Sequence, residues 1–168
     1  MDATALRELQ APLKERYRQS PDEARITLRA GGRAGEGLTC RVDTGRTIIE
    51  AGLHPATGGT GSSVCSGDML LEALVACAGV TLNAVATALG IGIRDATVRA
   101  EGDLDFRGTL GVSKDVPVGF QNIRLRFELD TDATEVEVAA LLRLTERYCV
   151  VYQTLAHPPI LEATLVRP

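Results

Sequence analysis

The residues of this chain that could carry nucleophilic or metal-binding chemistry are four cysteines and two histidines. They are Cys40, Cys65, Cys77, Cys149, His54 and His157. The cysteines have no C-x-x-C spacing, both histidines are followed by proline, and no G-x-S-x-G motif is present. The pattern therefore favours neither a zinc site nor a serine triad. Thiol chemistry remains, in which a thiolate is the nucleophile.

The longest apolar segment, Ser66–Gly90, has Cys77 near its middle. Its apolar part contains one charged residue, Glu72, no proline and few β-branched residues, so it predicts a helix. We expect Ser66 to cap this helix, Asp68 to suit the positive end of its dipole, and the final glycine to stop it.

This helix is apolar nearly all round and must be covered on every side. A bilayer span is the rival interpretation, because the segment approaches the roughly 20 residues that cross hydrocarbon. Glu72, Asn83 and the absence of basic flanks argue against it. One turn from Cys77, the residues Ala73 and Val80 are apolar, so a charge that activates the thiol must come from elsewhere.

The remaining sequence predicts helices and strands in an α+β order. An amphipathic helix at residues 4–19, with a kink or new start at Pro12, is followed by a loop-rich region of short strands and a surface loop at residues 54–67. An Asp132–Glu135 capping box opens a helix that runs toward residue 149 and continues to about 156. Strands are predicted at residues 24–30, 38–42, 46–51, 96–103, 123–130 and 160–166.

Composition limits the function classes. The chain has 168 residues and a net charge of -4, without a run of Lys or Arg, so one domain is expected and nucleic-acid binding is disfavoured. Its start, MDATALRELQ, has no apolar h-region, so we expect no signal peptide and a cytoplasmic location. There the cysteines would be mostly reduced.

Two blocks of sequence carry a resemblance to a known family. They are L-L-x-A-L-x-A-C-x-x-x-T-L at Leu70–Leu82 and E-R-Y-C-x-V-x-x-T-L at Glu146–Leu155. With the order of strands, they make residues 24–168 resemble the OsmC/Ohr family of osmotically inducible and organic-hydroperoxide-resistance proteins. The resemblance implies antiparallel sheets wrapped around two central helices in an intertwined homodimer. Residues 1–22 would be a helical extension and residues 23–168 the OsmC-like domain.

The resemblance also implies an activity. Cys77 would be the peroxidatic and Cys149 the resolving cysteine of a thiol-dependent peroxidase that reduces organic or fatty-acyl hydroperoxides. Arg33 matches the activating arginine, with Arg41 and Arg46 as substitutes. Electrons would come from a dithiol, lipoyl-type or other, without a metal, a flavin or another cofactor, and without a nucleic-acid or membrane partner.

The chain departs from the family pattern at positions that bear on this activity. Gly67 occupies the place of a glutamate that orients the arginine, and Asp68 is the nearest carboxylate. Val150 follows the second cysteine where proline is frequent, and Cys65 is an additional thiol that could act as the resolving residue. The alternatives are therefore a dimer without peroxidase activity that binds a small apolar ligand, or a redox-sensing protein that uses Cys65 with Cys77.

Overall fold

The computed structural model describes residues 2–19, 31–34, 39–43, 48–111 and 113–167. Five helices and six strands lie in these ranges, in the α+β order that the sequence predicts. The helices are α1 Ala3–Gln19, α2 Ser66–Leu89, α3 Phe106–Thr109, α4 Glu135–Tyr148 and α5 Val150–Ala156. The strands are β1 Gly31–Ala34, β2 Thr39–Asp43, β3 Ile48–Gly52, β4 Val64–Cys65, β5 Ile93–Asp103 and β6 Asn122–Thr131.

The central helix α2 begins and ends almost where the sequence predicts. Asp68 lies in its first turn, and Gly90 ends it in the left-handed conformation, with φ 71°. The prediction that Ser66 caps the start is wrong, because Ser66 is already helical and Cys65 occupies the N-cap without a side-chain hydrogen bond. Cys65 therefore lies at the junction of β4 and α2.

The first sheet has the strand order β1-β2-β3-β4. Strands β1, β2 and β3 are antiparallel, and β4 runs parallel to β3, with Gly52 beside Cys65. The strands predicted at 38–42 and 46–51 are confirmed, and Gly31 and Gly32 lie in the further strand β1. The loop predicted at 54–67 contains the short strand β4 and a 3-10 turn, Pro55–Thr57. The strand predicted at 24–30 lies outside the described residues.

The second sheet is the predicted antiparallel hairpin of β5 and β6. Its side chains alternate between half-buried and exposed along β6, so one face packs on α2 and the other meets water. Ion pairs join the two strands on the wet face: Arg94 contacts Asp130 and Asp132, Arg99 contacts Glu128, and Arg124 contacts Glu101 and Asp103.

Helix α4 begins two residues later than predicted, because its N-cap is Thr134 and not Asp132. Thr134 is the N-cap, its hydroxyl accepts the backbone N–H of Glu137, and the Glu137 carboxylate accepts the backbone N–H of Thr134 at 2.8 Å. Asp132 does not cap the helix because its carboxylate pairs with Arg94 across the hairpin end. Helix α4 ends at Cys149, which is in extended conformation with ψ 109°, and α5 starts at the next residue.

The final strand predicted at 160–166 is wrong for the single chain. Residues 158–167 have no regular secondary structure, and Ile160, Leu161, Leu165 and Val166 are 78–92% exposed. A strand forms only when its backbone pairs with a neighbouring edge, and among the described strands none pairs with this segment. At the other end, α1 is a single helix through Pro12, without the predicted new start.

The described core is thin and lies on one side of α2. Its two clusters contain Leu82, Val85, Ala86 and Leu141, and Leu74, Ala78 and Cys149. By length and composition α2 could also cross a membrane. Of its most apolar segment of 18 residues, 28% is buried within the chain. Because one side of α2 packs on β5, α4 and α5, we describe it as the core helix of this fold.

Candidate active site

The structure brings Cys77 of α2 together with Cys149 at the α4–α5 break, 72 residues later in sequence. Cys77 packs against the cluster that contains Cys149, and both are free thiols. Cys149 is fully buried, whereas Cys77 is half-buried. An attacking thiol must be reached by its substrate, so the exposure of the two residues favours Cys77 as the thiol that reacts first.

The pKa of the Cys77 thiol is lowered from its ordinary value. Burial alone raises this pKa, but hydrogen bonds from the backbone N–H of Val151, the Cys149 side chain, the backbone N–H of Val150 and the Thr81 side chain more than offset it. Val150 and Val151 begin α5, where the first N–H groups have no intrahelical partner. The thiolate at Cys77 can therefore be stabilised by main-chain amides.

The pKa of the Cys149 thiol moves in the opposite direction. Burial raises it, a hydrogen bond to the backbone of Tyr152 lowers it in part, and the neighbouring Cys77 raises it again. Two thiols that share one site cannot both ionise easily, so one becomes the thiolate and the other keeps its proton. The opposite directions of the two pKa shifts favour Cys77 as the thiolate.

The alternative thiol, Cys65, is remote from the pair within one chain. Cys65 caps α2 and Cys77 lies twelve residues further along the same continuous helix, which places their Cα atoms about 18 Å apart. A disulfide requires Cα atoms within roughly 7 Å of each other. An intrachain Cys65–Cys77 bridge is thus excluded by the helix itself.

The carboxylate position predicted next to the thiol is also remote within the chain. Asp68 lies nine residues before Cys77 on α2, about 14 Å along its axis. A Cβ atom at Gly67 would stand 3.5 Å from Cζ of Phe120, 3.6 Å from Sγ of Cys65 and 3.8 Å from Cδ1 of Leu104. The glutamate position of the family therefore faces a small cavity walled by Phe120, and not the thiol pair of the same subunit.

The predicted activating arginine stays a prediction. Arg33 lies in β1, where its Cα atom pairs with that of Arg41, but both side chains are outside the described part of the chain, as is Arg46 altogether. Among the described groups, none of those that lower the pKa of Cys77 is a cation. Nor does the described part of the chain group three His, Cys, Asp or Glu side chains as metal ligands.

A cavity of about 620 Å³ lies against the cluster that contains Cys149, although neither Cys77 nor Cys149 lines it. Several of its lining residues also pack in that cluster, namely Leu74, Ile123, Leu125, Phe127, Tyr152 and Leu155. Arg126 and Glu146 line it as well. Its volume falls in the range of sites that bind small molecules, and its wall combines apolar side chains with polar and charged ones.

Sequence reasoning missed the groups that hold the Cys77 thiolate. Thr81 stands four residues after Cys77, a spacing that places two helical side chains together, so the sequence does contain a signal for this group. The amides of Val150 and Val151 had no sequence signal, because any residue except proline supplies an N–H. Only the packing of α5 against α2 identifies them.

Comparisons with known proteins agree with this fold. A family model described as OsmC-like protein matches residues 59–164. Among curated proteins, none is significantly similar in sequence. The match includes both cysteine blocks but not strands β1 to β3.

Solved structures share the fold at low sequence identity. An OsmC-like protein from Mycoplasma pneumoniae superposes with a TM-score of 0.68 at 20% identity, over 79% of this chain and 89% of that one. An organic hydroperoxide resistance protein OsmC from Legionella pneumophila gives 0.62 at 18%, over 80% and 92%. The organic hydroperoxide resistance protein OhrB of Bacillus subtilis gives 0.53 at 19%, over 79% and 93%.

Proposed function

Because this chain belongs to the OsmC-like protein family, and its two thiols are in contact, we propose that it is a thiol-dependent peroxidase that reduces organic hydroperoxides. The observation that carries the proposal is the pairing of an accessible Cys77 of lowered pKa with a buried Cys149 of raised pKa. Structural neighbours named organic hydroperoxide resistance proteins support the substrate class.

The reaction follows from the two thiols. The Cys77 thiolate attacks the terminal oxygen of the hydroperoxide, the O–O bond breaks, and the alkoxide leaves as an alcohol after taking a proton. Cys77 is then a sulfenic acid, and the Cys149 thiol displaces water from it to form a disulfide. A dithiol, lipoyl-type or other, returns both residues to thiols and becomes a disulfide itself. The cycle uses no metal and no other cofactor.

We further propose that the active protein is an intertwined homodimer. Ala73, Ala76, Val80 and Ala84 form an exposed apolar stripe along α2, and Val80 is 73% exposed. The C-terminal segment also exposes four large apolar residues without a strand partner. A second copy would cover both surfaces, and it could bring its own Asp68 or Arg33 to Cys77.

We propose the cytoplasm as the location of the protein, because it is the compartment in which such thiols stay reduced.

A second candidate function has an observation of its own. The cavity of about 620 Å³ against the cluster around Cys149, together with Gly67 at the family glutamate position, favours a binding protein for a small apolar ligand. The redox-sensing alternative would require Cys65 and Cys77 of different subunits to meet, because the intrachain distance is too large.

The test is the fate of individual thiols after one equivalent of cumene hydroperoxide is added to the reduced protein. We expect rapid loss of two thiols and a Cys77–Cys149 disulfide in the peptide map. In Cys149→Ser, a sulfenic acid should persist at Cys77 and react with dimedone. In Cys77→Ser, no thiol should be lost at a comparable rate.

The matched control is Cys65→Ser, which removes another half-buried thiol of the same segment. It should leave both the rate and the disulfide unchanged. If the unaltered protein loses no thiol but binds cumyl alcohol, the binding protein is the correct function. A disulfide that joins Cys65 of one subunit to Cys77 of another would instead support redox sensing.

A further inference from the structure

The hydroxyl of Thr81 lies directly over Cys77 on α2. Its Oγ1 donates a hydrogen bond to the backbone O of Cys77 at 2.8 Å. Helical side chains lean toward the N-terminus of their helix, so a residue covers the turn that precedes it. For this reason the same hydroxyl stands beside the Cys77 side chain, and Thr81 is among the neighbours that lower the pKa of the thiol.

The hydroxyl has one proton and two acceptors within reach. The carbonyl of Cys77 lies inside a continuous helix, so it already accepts the backbone N–H of Thr81, and its bond from the hydroxyl is additional. A thiolate, by contrast, gains a charge-assisted hydrogen bond, which is roughly twice as strong as a neutral one. Once Cys77 ionises, the Thr81 hydroxyl therefore makes a stronger hydrogen bond to the sulfur than to the carbonyl.

We propose that Thr81 is a positioning residue whose hydroxyl donates to the Cys77 carbonyl while the thiol is neutral and turns to donate to the sulfur when Cys77 becomes the thiolate. This inference rests on the proposed function only in that it takes Cys77 as the reactive thiol. The switch holds the thiolate in one orientation.

Among the described residues, few other groups that titrate lie in the cluster around Cys77. From α5 and the residue before it these are Tyr152 and Cys149, and β5 contributes the apolar Val98 and Ala100. The charged residues of α2, Asp68 and Glu72, are exposed and lie toward its start. Helix α1 also packs on α2, and the charged residues of α1 whose side chains are described, Arg7 and Glu8, are exposed. In the described part of the chain, a change in the titration of Cys77 in a Thr81 variant therefore reports on the hydroxyl itself.

The experiment measures the pH dependence of alkylation of Cys77 by iodoacetamide in the reduced protein, resolved by peptide mass spectrometry. In Thr81→Val, which keeps the side-chain shape without the hydroxyl, we expect the midpoint to rise by about one pH unit, a tenfold loss of thiolate at a fixed pH below it. Thr81→Ser restores the hydroxyl and should return the midpoint to that of the unaltered protein.

Thr87 provides the matched control. Its hydroxyl makes the same bond to the carbonyl four residues earlier, to Asn83 at 2.8 Å, but no cysteine lies below it. Thr87→Val should leave the midpoint unchanged. A midpoint in Thr81→Val equal to that of Thr87→Val would overturn the switch.

The same series separates this inference from the proposed function. Alkylation reports on the thiolate and does not depend on peroxide reduction. If the midpoint shifts but none of the proteins reduces a hydroperoxide, the switch stands and the peroxidase fails. If peroxide is reduced but the midpoint does not move, the peroxidase stands and the switch fails.

Discussion

The two sides of α2 have similar residues and different surroundings. One side, with Leu74, Leu82 and Val85, packs under β5, α4 and α5 and is buried. The opposite side, with Ala76 and Val80, is equally apolar and meets solvent in the single chain. A helix with no polar side cannot belong to the surface of a stable subunit. In the described part of the chain, the difference leaves one apolar side of the central helix without cover.

Cys77 lies at the border between these two sides. The buried side provides the amides of α5 and the Cys149 thiol, which hold the pKa of Cys77 down, and the open side leaves its sulfur accessible. A thiol deeper in the core, such as Cys149, has a raised pKa because burial dominates. The reactivity of Cys77 therefore depends on its position between the packed side of α2 and the side that meets solvent.

The largest expected effect comes from a charge on the open side. If a second copy covers this side, Val80→Asp buries a carboxylate without a partner, at a cost on the order of 3–5 kcal/mol. The dimer should weaken by on the order of a thousandfold, and sedimentation at micromolar concentration should show monomer or unfolded chain.

Val136→Asp is the control for this substitution. Val136 is 80% exposed in the first turn of α4, where an added carboxylate suits the helix dipole. It should leave the sedimentation coefficient unchanged. If Val80→Asp sediments like the unaltered protein, the open side of α2 is not an interface.

The next largest effect is expected when one side chain on each side of α2 is shortened to alanine. Leu82 is 1% exposed, so Leu82→Ala should lower the free energy of unfolding by about 3 kcal/mol at every protein concentration. Val80→Ala should cost less, about 1–2 kcal/mol, and its cost should appear through a dependence of the unfolding midpoint on protein concentration. Urea denaturation at two protein concentrations separates the two cases. A negligible cost for Val80→Ala would mean that this side stays in solvent.

Much of this fold could be predicted from the sequence where local patterns are strong. The alternation of Ile123, Leu125 and Phe127 with arginine and glutamate gave β6 and its wet face, and the uninterrupted apolar residues around Cys77 gave α2. The family resemblance, confirmed by the family model and the shared fold, supplied the α+β OsmC-like architecture. These features depend on neighbours in sequence, which the pattern contains.

The errors concern partners that are distant in sequence. Asp132 has the spacing of a helix cap, but Arg94 at the far edge of the hairpin takes its carboxylate, and Thr134 caps instead. The segment 160–166 alternates like a strand, but a strand also needs a partner, and none of the described strands pairs with it. The activating hydrogen bonds at Cys77 come from the amides of α5, which no side-chain pattern encodes.

The smallest effect concerns the helix that covers the buried side of α2. Helix α4 carries Leu141 onto that side, and its first turn is fixed by the reciprocal bonds of Thr134 and Glu137. Thr134→Ala removes this cap and should lower the free energy of unfolding by about 1 kcal/mol at neutral pH. Cys77 should keep its alkylation midpoint, because the cap lies far from the α4–α5 break. A shifted midpoint would show that the two ends of α4 are coupled.

The pH dependence of this last effect has a definite sign. Hydrogen bonds from the backbone N–H and then the hydroxyl of Thr134 lower the pKa of the Glu137 carboxyl in the folded chain. A carboxyl with a lowered folded pKa stabilises the fold above its unfolded pKa, and this contribution disappears as the pH falls through the folded pKa. The difference in unfolding free energy between the unaltered chain and Thr134→Ala should therefore shrink toward acid pH. Urea denaturation across the acid range measures it, with Thr154→Ala as the comparison, because the Thr154 hydroxyl bonds only the carbonyl of Val150 and no carboxylate. A difference that stays constant for Thr134→Ala would mean that the hydroxyl caps the backbone alone, without help from the ionised Glu137.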